Sequence, residues 1–123
     1  RSAMLSTNLK HIESDEEFQK VLAENENVMI TCGRMGPMCL PVYDVMEKLE
    51  GSYQHVAFRD LAFDGPAAHN IKTLAEVRGF MGLPFVVYFK NGQVVEAKSS
   101  IQTGPEVRSV LDQQFGKPKR QAA

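Results

Sequence analysis

Cys32 and Cys39 are the only cysteines in the chain, with Gly33-Arg34-Met35-Gly36-Pro37-Met38 between them. A thiol does its chemistry as the thiolate, which attacks disulfides and binds metals. Two thiols are too few for a four-cysteine zinc or iron–sulfur site within one chain. His11, His55 and His69 are scattered without metal-ligand spacing. Thiol–disulfide exchange and redox sensing are the chemistries left. The alternative is a pair of buried thiols acting as small hydrophobes.

Spacing bears on that choice. A continuous helix from Cys32 to Cys39 would hold the two roughly 10 Å apart along its axis. A disulfide needs Cα atoms within about 4.4–6.8 Å, so a pair requires the chain to turn between them. Gly33 and Gly36 permit a turn, and Gly36-Pro37 reads as a helix start with proline at the first helical position. Cys32 then ends a strand, and Cys39 sits in the first turn of the helix. A helix N-terminus favours an anion, and a thiol there has its pKa lowered to roughly 3.5–7.5. Arg34 adds a positive charge. In the redox reading one thiol attacks and the other resolves, in an order the sequence leaves open. In the other reading Cys32 continues the apolar run VMITC, and Cys39 precedes Leu40 on a helix packed against the sheet.

The elements that must position these residues are legible from periodicity. SDEE at Ser14–Glu17 is a capping box, and Phe18, Val21 and Leu22 follow at helical spacing to about Asn25. Leu9–Ile12 is a short strand before it. Val28–Cys32 reads as a buried strand. PVYDVMEKLE carries Val42, Val45, Met46 and Leu49 on one face and closes at Gly51. HVAFRDLAF is a strand with Val56 and Phe58 alternating against polar neighbours. DGPAAHNIKTLAEV reads as a helix entered at Asp64 and Pro66, with Ile71 and Leu74 buried. GLPFVVYFKNGQVVEA is a hairpin turning at Asn91-Gly92. TGPEVRSVLDQQF is a last helix with Val107, Val110, Leu111 and Phe115 inward. The order β-α-β-α-β-α-β-β-α implies parallel early pairing through right-handed crossovers. A mixed α/β sheet with helices on both faces follows.

Composition sets the outer limits. The 123 residues are 43% hydrophobic and 24% charged, with a net charge of −1, the proportions of a globular domain. Near-neutral charge gives no electrostatic argument for nucleic acid or an acidic membrane surface. No apolar run reaches the roughly 18 residues of a spanning helix. RSAMLSTNLK lacks the apolar core of a signal peptide, and Met4 is a candidate natural start. A cytoplasmic location is expected, where ordinary thiols stay reduced. Gly79 and Gly82 precede a strand and make no phosphate loop. The expected division is an N-terminal extension over 1–8, one domain over 9–115, and a flexible tail over 116–123.

VRGFMGLPFVVYFKNGQVV resembles the stretch of thioredoxins that runs through their cis-proline into the last hairpin. The resemblance extends over about Leu9–Phe115 and implies a thioredoxin-like fold. It implies that Pro84, after Leu83, follows a cis peptide bond, faces the thiols and helps hold a substrate chain extended. The active-site segment departs from the family pattern of a tryptophan followed by Cys-Gly-Pro-Cys, since the chain has no tryptophan and no CxxC. Matching Pro41 to the family's helix proline puts Gly33-Arg34-Met35-Gly36 where the dithiol stands. Matching the helix start puts Gly36-Pro37-Met38-Cys39 there, with Cys39 in the second-cysteine place and glycine replacing the nucleophile. The family's buried carboxylate, a proton relay, is replaced by Asn27 or Ile30.

Two functions are therefore expected. One is an atypical thiol–disulfide oxidoreductase in which Cys32 and Cys39 are catalytic, Pro84 shapes the groove, and a thioredoxin-reductase-type donor recharges the pair. The sequence shows no flavin or nicotinamide site, and no cofactor is expected. The other is a redox-inactive binding or adaptor protein using the same surface: Gly33, Arg34, Met35, Gly36, Pro37, Met81, Leu83 and Pro84. Met35, Met38, Met46 and Met81 are candidates for an adaptable docking surface, Met35 and Met81 foremost. The partner is a protein, disulfide-bearing in the first case, with neither nucleic acid nor membrane involved.

Overall fold

A computed structural model describes residues 5–118. The expected element order is present: β1 (Lys10–Ile12), α1 (Asp15–Glu24), β2 (Asn27–Gly33), α2 (Leu40–Glu50), β3 (Ala57–Ala62), α3 (His69–Lys72), β4 (Phe85–Lys90), β5 (Gln93–Ser99) and α4 (Gly104–Phe115). The five strands form one sheet in the order β1-β3-β2-β4-β5. β3 pairs parallel to both β1 and β2. β4 runs antiparallel to both β2 and β5. The first three strands are joined through helices, which parallel pairing requires, and the last two by a tight turn. Asn91 and Gly92 make that turn with φ of 51° and 77°, the left-handed pair that matches strand twist.

Local signals explain the helix ends. Ser14 Oγ accepts from Glu17 N–H at 3.0 Å, while the Glu17 carboxylate accepts from Glu13 N–H rather than closing on Ser14. Thr103 and Glu106 form a complete capping box at α4. The long third helix expected from DGPAAHNIKTLAEV is corrected: it is a single turn over His69–Lys72, followed by a 3-10 turn at Ala75–Val77. The Thr73 hydroxyl donates back to the His69 carbonyl at 2.6 Å, and Leu74 is extended at ψ 139°, so the helical ladder ends there.

Alternation along β2 divides the core. Val28, Ile30 and Cys32 belong to the layer formed with Phe18 and Val21 of α1 and Ile71 of α3. Met29 belongs to the opposite layer, with Val42, Tyr43 and Met46 of α2 and Val107, Leu111 and Phe115 of α4. Successive strand side chains point to opposite faces, so adjacent β2 residues serve different layers. The segment before Leu9, expected as an extension, is packed from Leu5 onward. Leu5 is buried in the α2/α4 layer, and Asn8 N–H donates to Glu47 at 2.8 Å. Those contacts span long sequence separations and leave no local pattern. Residues 1–4 and 119–123, the candidate start and most of the expected tail, lie outside the described residues.

Candidate functional site

The site is built where β2 hands over to α2. The strand ends at Gly33, and a turn follows in which the Gly36 carbonyl accepts from Cys39 N–H and Leu40 N–H at 3.1 and 3.0 Å. α2 begins at Leu40, with Cys39 as its N-cap and Pro41 in its first turn. The start expected at Pro37 is thus corrected by three residues. The Gly36 bonds close a turn, and the helical ladder begins only when the Cys39 carbonyl accepts from Tyr43 N–H at 3.1 Å.

Three groups converge on Gly33. A Cβ there would stand 2.7 Å from Cys39 Sγ, 2.7 Å from Tyr43 Oη and 3.2 Å from Pro84 Cβ. Only glycine fits without displacing one of them. The Leu83–Pro84 peptide bond is cis, and the Pro84 carbonyl accepts from Ser100 N–H at 3.0 Å. Cys39 Sγ accepts from Arg34 N–H at 3.5 Å, and Tyr43 Oη donates to the Arg34 carbonyl at 3.0 Å. Burial, aided by the Cys39 charge, holds the Tyr43 phenol above its ordinary range. Cys39 is only 2% exposed.

Cys32 is not part of this cluster. Its β2 neighbours across the sheet are Leu61 and Phe85, all three in the α1/α3 layer. Burial pushes its thiol up to about 12, opposed by Lys72 and reinforced by the charges of Cys39 and Asp64. Both thiols are free, and the sheet backbone lies between their side chains. The other predicted groove residues assemble around Cys39. Arg34, Met35, Pro37 and Met38 are exposed, Gly36 and Leu83 half-buried, and Pro84 buried. Met81 is 97% exposed, and Met35, Met38, Leu40 and Ile101 are the other large exposed hydrophobics. Met46, a candidate for the docking surface, is instead buried under α2, where its sulfur accepts from the Thr31 hydroxyl at 2.9 Å. It sits on the buried stripe of its helix with Val42 and Leu49, one turn to either side.

A charged patch borders the thiol. The Arg34 guanidinium grips Asp64 through two bonds of 2.7 and 3.0 Å, which holds the Asp64 carboxyl below its usual range. Arg34 also stacks on Phe63 at 4.7 Å, and Lys72 lies over the same ring at 4.0 Å. Among the described residues no His, Cys, Asp and Glu cluster could hold a metal ion, and no helix is long and apolar enough to cross a membrane.

Two polar residues of this region escape a reading of the sequence for thiols. Tyr43 lies four residues after Cys39, so helical spacing puts both on one face; that signal was available. Asp60 is fully buried on β3, opposite Thr31. It accepts from Thr7 Oγ1 at 2.5 Å and meets His11 Nδ1 at 2.6 Å. Burial nevertheless raises its carboxyl above the ordinary value. Its parity with Phe58 marked it as inward-facing, although its residue type reads as solvent-exposed.

No family model matches the sequence, and no curated protein does. Solved structures do match. One, an initial structural analysis of thioredoxin from Plasmodium falciparum, is 18% identical with a TM-score of 0.71, over 86% of this chain and 99% of that one. Oxidised thioredoxin O2 from Arabidopsis thaliana is 16% identical with a TM-score of 0.70, over 90% and 97%. Mitochondrial thioredoxin 3 from Saccharomyces cerevisiae, also oxidised, is 19% identical with a TM-score of 0.67, over 85% and 94%. The chain has the thioredoxin fold.

Proposed function

We propose that this chain is a thioredoxin-like redox protein that meets a polypeptide partner at the Pro84 end of the sheet and exchanges disulfides through Cys39. The observation that carries this reading is the convergence of Cys39 Sγ and Pro84 on Gly33, inside a rim of exposed Met35, Met38 and Met81. Cys39 at the helix start also fits the second of the two alignments, in which it takes the second-cysteine place. The Cys39 thiolate attacks one sulfur of a partner disulfide. That bond breaks, a mixed disulfide forms, and the other sulfur leaves as a thiolate and takes a proton from water. A second thiol, from the partner or from a small-molecule pool, reverses the step with the same balance. Compartments that keep thiols reduced, such as the cytosol, suit this chemistry.

The pairing of Cys32 with Cys39 needs more. Cys32 would have to leave the α1/α3 layer and cross to the other face of the sheet. Binding without redox turnover is the second reading, and the low exposure of Cys39 favours it.

Mass analysis after alkylation in a graded glutathione buffer separates the three, using the wild type, Cys32→Ser and Cys39→Ser. Cys39 exchange gives a glutathione adduct on the wild type and on Cys32→Ser but not on Cys39→Ser. Loss of two hydrogens in the wild type alone supports the pair. Folded protein that stays fully reduced supports binding.

A further inference from the structure

Cys39 and Tyr43 are joined through the two ends of one residue. Arg34 N–H donates to Cys39 Sγ, and the Arg34 carbonyl accepts the Tyr43 hydroxyl proton. Cys39 Sγ and Tyr43 Oη each lie 2.7 Å from the one point a Gly33 Cβ would occupy. They are therefore no more than twice that distance apart. A phenol has one proton, and here it is committed to the Arg34 carbonyl. Arg34 thus holds the sulfur through its N–H and the phenol through its carbonyl, with the two side chains facing one point.

We infer that Tyr43 is the positioning residue for the Cys39 thiolate, switching its single proton from the Arg34 carbonyl to the sulfur when Cys39 ionises. This rests on the reading of Cys39 as the working thiol. The balance is simple. The thiol proton leaves to solvent, and Tyr43 stays protonated throughout and changes only its acceptor. The thiolate then receives two donors, Arg34 N–H and Tyr43 O–H, while the Arg34 carbonyl loses one. Charge-assisted bonds are about twice as strong as neutral ones, so the exchange of acceptors favours the thiolate. It also links the sulfur's charge to the backbone of Arg34, whose side chain is anchored on Asp64.

The surrounding charges are few. On the loop, the Arg34 cation favours the thiolate, and Asp64 partly neutralises it. From β3, Asp60 acts on Tyr43 with the opposite sign, and from β2 the thiol of Cys32 does the same. A neutral donor placed at the sulfur does what those balanced charges do not.

The test is an NMR titration of the Cys39 13Cβ shift, which reads thiol against thiolate without requiring a disulfide partner to reach the sulfur. The expected result is that Tyr43→Phe moves the midpoint to higher pH, lowering the ionisation constant on the order of tenfold. A role in packing alone would change the melting temperature and leave the midpoint in place. An unmoved or lowered midpoint overturns the inference, as does a Cys39 that stays protonated in both proteins until they unfold. If Tyr43→Phe does not fold, fluorotyrosine at Tyr43 serves: it keeps the ring and the O–H, makes the hydroxyl a stronger donor, and should move the midpoint to lower pH. A wild type that forms no glutathione adduct but shows the Tyr43-dependent midpoint sinks the exchange reading and keeps the role of Tyr43.

Discussion

The two faces of the sheet hold one cysteine each, in opposite surroundings. On the α1/α3 face, Cys32 lies among the apolar side chains of Val28, Ile30, Leu61, Ile71 and Val87. On the α2/α4 face, Cys39 shares its layer with Tyr43, Tyr53 and Tyr88, and the buried Asp60 and Thr31 project to the same side of their strands. Burial in the first layer pushes the Cys32 thiol up to about 12, against the lowering effect of Lys72. The second layer offers donors and acceptors at the same depth. Burial alone therefore does not make a thiol inert; the polar groups buried beside it decide.

The largest expected effect breaks the apolar layer. Leu61→Ala should cost about 2–5 kcal/mol of unfolding free energy in urea denaturation, the range for deleting a fully buried leucine side chain. Cys32 should then become open to alkylation through local opening, while the chemistry of Cys39 in the folded state keeps its pH dependence. A variant that altered both thiols alike would show that the faces are not independent.

Serine substitutions test the comparison more directly. Cys32→Ser places a hydroxyl among apolar side chains and should cost about 1–3 kcal/mol. Cys39→Ser places it beside Arg34 N–H and Tyr43 Oη and should cost under about 1 kcal/mol. Equal losses in thermal melts of the two variants would remove the distinction.

Acid should act through the polar face. Burial raises the Asp60 carboxyl above its ordinary value of 3.8, against the lowering effect of Thr7 and His11. The native state therefore holds the Asp60 proton more tightly than the unfolded chain. Between 3.8 and the raised value the native state binds more protons, so this group adds stability as pH falls through that window and withdraws it as pH rises. Asp60→Asn should lack the gain. In urea midpoints measured on both proteins from neutral pH down to about pH 4, the wild type should gain relative to Asp60→Asn on acidification; parallel curves would refute the assignment.

These contrasts show what the sequence could carry. Strand and helix order, the Asn91-Gly92 turn and the cap at Ser14 depend on neighbours within a few residues, and all were legible. The parity of Val28, Ile30 and Cys32 was legible too, but which helix covers which face depends on the crossovers between strands. Thiol spacing along the chain thus suggested a pair that the sheet separates. Asp60 was obscured for a related reason: its partners Thr7 and His11 lie about fifty residues away, so its strand parity with Phe58 was the one local sign that it is buried. The short α3 was misread because Thr73 closes on the backbone rather than extending the helix.

The smallest effect separates two tyrosines of the same layer. Tyr88 is fully buried, and its hydroxyl has no hydrogen-bond partner among the described residues. Burial, with the nearby Glu96 charge, holds it well above the ordinary tyrosine range. An unsatisfied buried hydroxyl costs about 1–3 kcal/mol, while the ring beneath it packs against Phe115 at 6.3 Å between centroids. Tyr88→Phe removes the hydroxyl and keeps the ring, so it should be neutral or stabilising by up to about 1 kcal/mol. Tyr43→Phe makes the same chemical change where the hydroxyl donates to the Arg34 carbonyl, and should cost about 1 kcal/mol. Opposite signs in paired denaturation curves would show that hydrogen bonding, not depth or residue type, sets the value of a polar atom on this face. A matching loss from Tyr88→Phe would mean that its hydroxyl finds a partner in solution, and the polar face would then hold a second network beside the one at Cys39.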